Sequence, residues 1–198
     1  AFRRVLQTPR KIILVGSQPA APGGAAAFGE LVQHLARGST AIFLAPEVFA
    51  RDKQSGHWLP LARKGSLTGT SDWLYHKDEW AKPHPVFDGL PTGLLDYTVY
   101  RELIPHRVWT GLDAPDAAVA GANNTSFDYS SGLMLSVHRL GAGRFILNTL
   151  HLRENLGTHP VADRLLLNLL LSAARDVSQP PADLPPVFAA QFRAFGYD

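Results

Sequence analysis

Short apolar runs and amphipathic stretches alternate in the first quarter of the chain. Residues 12–15 form a continuous apolar run bounded by charged residues and a glycine, which is typical of a strand buried on both faces. Residues 28–35 carry apolar side chains at helical spacing, and residues 41–45 form a second apolar run. Pro46 is placed to begin a further helix over residues 47–52. This β-α-β-α order predicts an α/β protein with a parallel sheet and right-handed crossovers.

Further elements are predicted in the C-terminal half. Residues 117–122 indicate an inner strand, and the apolar runs 133–140 and 144–150 flank a Gly-Ala-Gly turn, which predicts a β-hairpin. Residues 160–175 carry a wide stripe of leucines, which predicts a helix largely buried against the sheet. The predicted fold is a three-layer α/β structure. Its mostly parallel sheet would be flanked by helices, with a late hairpin and a C-terminal helix.

Two segments interrupt this pattern. Residues 53–110 are irregular and hold all four tryptophans, so we interpret them as a loop-rich aromatic insertion. Residues 178–198 begin with two Pro-Pro pairs and end with three phenylalanines at helical spacing, which predicts a proline-rich linker and a C-terminal tail. The tail is expected to form a short helix that docks onto the body or onto another chain. Residues 1–177 would then form one domain.

The composition excludes several classes of protein and of site. The chain has 198 residues, of which 45% are hydrophobic and 18% are charged, and this is the composition of a folded domain. It contains no cysteine, which excludes disulfides, thiolate zinc sites and thiol nucleophiles. The net charge is only +2 and the basic residues are scattered, which argues against nucleic acid as a partner. No apolar run approaches the ~20 residues of a membrane span, so no membrane partner is expected.

Several stretches resemble a known family. Residues 84–91 read His-Pro-Val-Phe-Asp-Gly-Leu-Pro, and residues 141–150 read Gly-Ala-Gly-Arg-Phe-Ile-Leu-Asn-Thr-Leu, followed by Asn155 and the leucine-rich residues 164–170. Together they resemble class I glutamine-amidotransferase-like domains, in particular the non-amidating members attached to glycoside hydrolases. These include trimerisation domains of β-galactosidases, accessory domains of family 2-type glycosidases and trehalose-utilisation-type proteins. The resemblance implies a flavodoxin-like fold, and it indicates the fold better than the activity.

The same resemblance places a candidate ligand crevice at the ends of the strands. Glutamine amidotransferases use a cysteine nucleophile, which this chain lacks, so glutaminase chemistry is excluded. His151 and Glu154 follow the late strand, as a His and a Glu do in the family, and Ser17 follows the first strand. The resemblance implies that this edge keeps its shape without acyl-transfer chemistry. For His151 the alternative is a hydrogen-bonded structural histidine. No catalytic residue and no metal site is assigned, since the histidines lack metal-ligand spacing.

Six aromatic residues of the insertion are candidates for a sugar platform or an interface. Aromatic side chains stack on sugar rings and also dominate protein interfaces. The alternative is that they fill a core beneath long loops. A glycosidase carboxylate pair in this segment is disfavoured, because a glycosidase barrel needs about 250 residues. The six are Trp73, Tyr75, Trp80, Tyr97, Tyr100 and Trp109.

These observations lead to one first hypothesis and two alternatives. The resemblance implies a non-catalytic accessory or oligomerisation domain of a carbohydrate-active enzyme, whose partner is the catalytic domain of that enzyme or a second copy of the chain. The alternatives are a stand-alone trehalose-utilisation-type enzyme acting near Ser17, His151 and Glu154, and a carbohydrate-binding module. No cofactor is expected. The compartment stays open, and an extracytoplasmic location is favoured if the parent is a glycosidase.

Overall fold

A computed structural model describes residues 9–16, 24–70, 77–124, 129–175 and 177–197. Ser17, Trp73 and Tyr75 lie outside the described residues. The strands are β1 Ile12–Val15, β2 Thr40–Phe43, β3 Lys64–Gly69, β4 Lys77–Ala81, β5 Gly93–Leu94, β6 Arg107–Leu112, β7 Ala117–Asn124, β8 Ser130–Leu140 and β9 Gly143–Asn148. The helices are α1 Gly24–Ala36, α2 Tyr97–Tyr100, α3 Leu152–Asn155, α4 Pro160–Ala174 and α5 Phe188–Ala194.

All the described strands belong to one mixed sheet. The order of strands along its main path is β1-β2-β9-β8-β7-β4-β5. Off this path, β6 pairs with both β3 and β8. Parallel pairing links β1 to β2 and β2 to β9, and the other described pairs are antiparallel. The predicted α/β class, with a sheet flanked by helices and the late β8–β9 hairpin, is confirmed. The prediction of a mostly parallel sheet is wrong, because strands rather than crossover helices fill the chain between β2 and β9.

Those intervening strands come from the segment interpreted as a loop-rich insertion. Residues 53–110 contribute β3, β4, β5, the short helix α2 and the start of β6. The helix expected over residues 47–52 is instead a single 3₁₀ turn, Pro46–Phe49, which ends at Ala50 in an extended conformation. The β-α-β start of the chain is formed as predicted, and it supplies the parallel part of the sheet.

Each face of the sheet carries its own hydrophobic core. On one face α4 and the 3₁₀ turn Pro85–Phe87 cover the sheet, and Leu165 and Leu169 of α4 are fully buried there. On the other face α1 packs Val32 and Leu35 against Phe43 and a cluster of aromatic rings. Two cores on opposite faces of one sheet account for the three layers.

The C-terminal tail completes the second core. Phe195 and Tyr197 are buried there beside α1, and the Tyr197 hydroxyl donates a hydrogen bond of 2.5 Å to the carbonyl of Trp58. Phe192 lies against α1 at Gly29, where a Cβ would come within 2.9 Å of the phenylalanine ring. Residues 187–197 therefore dock onto the body of the domain, and the glycine permits the close approach.

Helix α4 is apolar on its inner side and carries two leucines among charged residues on its outer side. Pro160 occupies its first turn, and the His159 side chain accepts a hydrogen bond from the backbone N–H of Val161. The sequence predicts a largely buried helix, yet Leu167 and Leu171 on the outer side are 48% and 59% exposed. The leucine run is longer than the inner stripe needs, so part of it faces outward. No helix in the described ranges is long and apolar enough to cross a membrane.

Candidate functional site

A crevice opens where the parallel strands β2 and β9 end. The chain leaving β2 at residues 44–47 and the chain leaving β9 at residues 149–154 form two of its walls, and residues 105–107 form a third. The crevice has a volume of about 350 Å³, which is within the range of small-ligand sites. The carboxyl ends of parallel strands are the usual place for a ligand in open α/β sheets.

One buried amide holds two of these walls together. Asn148, at the end of β9, is 1% exposed and donates hydrogen bonds to the carbonyls of Leu44 (3.1 Å) and Leu150 (2.9 Å). Its side-chain oxygen accepts a hydrogen bond from the backbone N–H of Leu150 at 3.1 Å. Because every bond goes to backbone, the amide fixes the path of the chain out of both strands.

His151 lines this crevice. Its backbone N–H donates to the carbonyl of Leu103 at 3.0 Å, and its carbonyl accepts a bond of 2.8 Å from the Asn155 side chain. Its imidazole faces that of His106, with ring centroids 5.9 Å apart and an angle of 63° between the rings. The backbone around His151 is thus held on two sides, which orients the ring beside a second histidine.

Glu154 also lines the crevice, where it is bound by a neighbouring cation. Its Oε1 accepts hydrogen bonds from Nε and Nη2 of Arg153 at 3.0 and 2.7 Å. Partial burial raises the pKa of Glu154, but a backbone hydrogen bond, Arg153 and His151 outweigh burial and hold the pKa below its ordinary value. The carboxylate is therefore ionised at neutral pH, and its charge is largely balanced by the adjacent guanidinium.

The described lining does not pair His151 with a nucleophilic hydroxyl. The Thr149 side chain is buried, and its hydroxyl donates to the carbonyl of Met134 at 3.5 Å. In the described ranges no three His, Asp or Glu side chains are grouped so as to hold a metal ion. The crevice offers imidazole donors or acceptors and an ion pair, which suit the binding of a small polar molecule.

Sequence reasoning missed three residues that complete the crevice. His106 and Arg107 approach from the start of β6, and Glu47 approaches from the 3₁₀ turn after β2. The only local signal is their position next to a strand end. Their proximity to His151 depends on the order of strands in the sheet, which the chain does not display locally.

Two of the candidate aromatic residues fill the cores. Tyr100 and Trp109 are each 1% exposed, Tyr100 in the core beneath α4 and Trp109 in the core beneath α1. The Tyr100 hydroxyl donates to the carbonyl of Pro91 at 2.6 Å, and Trp109 meets Phe49 edge to face at 6.1 Å. They lie on opposite sides of the sheet, so they do not share a surface that could contact a sugar.

Trp80 and Tyr97 lie nearer the surface. Trp80 rests on the backbone of β7 at Gly121, where a Cβ would lie 2.7 Å from the indole ring. Its ring N–H donates to the Asn123 side chain at 3.3 Å, and the Lys82 ammonium sits 5.4 Å above the ring centroid. Tyr97 is 54% exposed. Of the described candidates, Trp80 is the one that combines a supported ring with nearby polar groups.

Two of the segments that carry the family resemblance, residues 84–91 and 164–170, lie side by side. Asn168 of α4 donates hydrogen bonds of 2.9 Å to the carbonyls of Val86 and Asp88, which belong to the His-Pro-Val-Phe-Asp-Gly-Leu-Pro stretch. No protein-family model matches the chain, and no curated protein matches it significantly. Membership of the amidotransferase-like family therefore stays a prediction that rests on these segments.

Proposed function

We propose that this chain is a non-catalytic accessory domain of a carbohydrate-active enzyme, of the amidotransferase-like type, and that α4 is its docking surface. The observation that carries the proposal is the exposure of Leu167 and Leu171, at 48% and 59%, on the outer side of a helix whose inner stripe already fills the core. The two leucines form an apolar patch on a side of the helix that also carries the exposed Asp163 and Arg164, and an apolar patch with a polar rim is typical of an interaction surface.

The two outward leucines of α4 would become more stable if a partner covered them. Burying a leucine side chain is worth about 1.5–3 kcal/mol, so covering these two half-exposed side chains would contribute about 2 kcal/mol to association. Isolated exposed leucines need no explanation, but Leu167 and Leu171 are four residues apart and share one side of the helix. Such a pair supports contact with the catalytic domain or with a second copy of the chain.

The strand-end crevice supports a structural rather than a catalytic role for this domain. Glu154 is bound by Arg153, the Thr149 hydroxyl is bonded to a carbonyl, and the backbone of His151 is fixed by Leu103 and Asn155. The Glu154 carboxylate and the Thr149 hydroxyl are therefore engaged within the chain. The alternative trehalose-utilisation-type enzyme would need a free acid or nucleophile beside the His151 ring.

Sedimentation velocity and a hydrolysis assay test the proposal together. The purified chain should self-associate as its concentration rises, and the double variant Leu167→Gln/Leu171→Gln should remain monomeric. Leu94→Gln is the matched control, because Leu94 is 71% exposed on β5 and away from α4. Monomers at every concentration would overturn the oligomerisation form. Turnover of aryl glycosides that is lost in Glu154→Gln would overturn the non-catalytic proposal and favour the enzyme.

Carbohydrate binding is the second candidate, favoured by the support of Trp80 on Gly121 with Asn123 beside it. A change in tryptophan fluorescence on titration with oligosaccharides, abolished in Trp80→Leu, would support a binding module. No response to any sugar would leave the docking role alone.

A further inference from the structure

The sheet ends on one side at β1, an edge strand made only of apolar residues. Leu14 is 48% exposed and the other three residues are partly exposed, whereas every residue of the neighbouring strand β2 is buried. Charged residues, prolines and bulges are among the usual protections of an open strand edge. The strand Ile12–Val15 contains none of these, and it pairs with β2 without a register shift. An unprotected apolar edge is a surface on which another strand can pair.

The backbone groups of two β1 residues point away from the sheet. In a parallel pair, every second residue directs its N–H and its carbonyl to the neighbouring strand. The N–H of Leu44, just after β2, donates a bond of 2.9 Å to the carbonyl of Val15, so the backbone groups of Ile13 and Val15 face β2. Those of Ile12 and Leu14 therefore face outward, and among the residues that the structure describes none bonds them.

Helix α4 extends this apolar edge on one face of the sheet. Ile12 packs against the core beneath α4, and Leu14, two residues further along the strand, points to the same face. Leu166 and Leu170 of α4 are half-buried and pack against the same core. They lie about 160–200° around the helix from Asn168, whose side chain bonds the segment beside the opposite flank. Their flank therefore faces the β1 side of the sheet, which α4 contacts.

The edge of β1 is self-complementary when two copies run antiparallel. With a two-fold axis at Ile13, Ile12 of each copy lies opposite Leu14 of the other, and each of these pairs exchanges two N–H···O bonds. Charge favours the same arrangement, because a parallel pair would place Lys11 beside its own copy. In the antiparallel pair the two lysines lie about 13 Å apart along the strands, beyond the screening length of about 8–10 Å.

We propose that β1 pairs antiparallel with β1 of a second copy of the chain, which joins the two sheets into one and places both α4 helices on the same face. This pairing rests on the docking role of α4 and names a second copy as its occupant. A standard interface buries about 800 Å² of each partner, which is more than four residues of a strand edge provide. The backbone bonds of β1 therefore align the copies, and the outer side of α4, with Leu167, supplies further apolar area.

Amide hydrogen exchange in the full chain, resolved by residue, tests the strand pairing. The N–H groups of Ile12 and Leu14 should exchange rapidly in dilute protein. They should exchange about tenfold more slowly at a concentration that leaves about a tenth of the chains monomeric. The N–H groups of Ile13 and Val15 bond β2 in both states, so they should stay protected and serve as the internal control. Rapid exchange of Ile12 and Leu14 in the associated protein would overturn the proposal.

Leu14→Lys places a charge on the edge of each copy, and sedimentation velocity should show association weakened by at least about tenfold. Leu94→Lys is the matched control, because Leu94 is 71% exposed on the edge strand β5, and it should leave association unchanged. Equal association of the two variants would overturn the pairing of β1. If Leu167→Gln/Leu171→Gln were monomeric in that case, the docking role of α4 would stand without β1.

The opposite result, association lost in Leu14→Lys and kept in Leu167→Gln/Leu171→Gln, would support β1 and refute the docking role of α4. Monomers at every concentration, with exchange of Ile12 and Leu14 independent of concentration, would overturn the second copy as the occupant of this edge.

Discussion

Replacing Asn168 with alanine tests whether the contact between α4 and residues 84–91 stabilises the fold. Asn168 is 3% exposed and is the buried polar side chain of α4. Its two N–H groups each donate a bond of 2.9 Å, one to Val86 and one to Asp88. Alanine keeps the helix and removes both donors, so the loss of stability measures the contact.

The expected magnitude follows from what happens to each carbonyl. No other described donor bonds the Val86 carbonyl, and a buried acceptor left without a partner costs about 1–3 kcal/mol. The Asp88 carbonyl keeps its bond from Arg164, so the loss of its second bond, from Asn168, costs about 1 kcal/mol. Alanine has a higher helix propensity than asparagine, which offsets about 0.6 kcal/mol of this loss. The net loss is about 2.5 kcal/mol, or about 5–10 °C in Tm.

Denaturation in urea, followed by tryptophan fluorescence, measures this loss as a lower midpoint at an unchanged m-value. Asn155→Ala is the matched control. The Asn155 side chain also donates to two carbonyls, those of Glu102 at 3.1 Å and His151 at 2.8 Å, but at a partly exposed site. Water can replace these bonds, so the control should lose about 1 kcal/mol or less. Equal losses in the two variants would refute the reasoning.

Three further predictions concern the cores. Burial holds the pKa of His138 at about 4, below its value of 6.5 when unfolded, so the free energy of unfolding should fall by about 3 kcal/mol as the pH drops from 6.5 to 4. In urea denaturations at a series of pH values, the free energy of unfolding of His138→Gln should fall by about 3 kcal/mol less over this range, because the variant lacks the buried imidazole. Tyr197→Phe removes the bond to Trp58 and should lower stability by about 1 kcal/mol in the same assay. Gly143→Ala places a Cβ against the carbonyl of Leu35, and calorimetry should show a large decrease in Tm.

Local patterns predicted the elements of this fold better than their arrangement. The helix predicted over residues 160–175 is observed as Pro160–Ala174, and the hairpin flanking Gly141 is formed. Among the strands that pair antiparallel, β3, β4 and β5 lie in the segment interpreted as a loop-rich insertion and carry weak signals. Strand β4 reads Lys-Asp-Glu-Trp-Ala and lies near the edge of the sheet, where side chains can be polar. Extending the β-α-β-α start to the whole chain therefore gave the wrong strand directions.

For the candidate sites, too, the sequence indicated local positions better than the arrangement of distant residues. The family resemblance placed His151 and Glu154 after a late strand, and both line the crevice where that strand and its parallel neighbour β2 end. His106 reaches the same crevice from the other side through the position of β6, which is a property of the whole sheet. Likewise, Asn168 and Val86 are far apart in sequence, and their contact depends on how α4 crosses the sheet.

The register of α4 links stability to the proposed docking surface. Leucines occupy most positions from 165 to 171, so apolar packing alone would distinguish weakly between this register and one shifted along the helix. Asn168 removes that ambiguity, because its two bonds to Val86 and Asp88 can form in one register only. Leu167, Leu171 and Arg175 follow one another at intervals of four residues, so fixing the register places all three on one side of the helix. A buried amide in the core thus determines which groups face outward on the proposed docking surface.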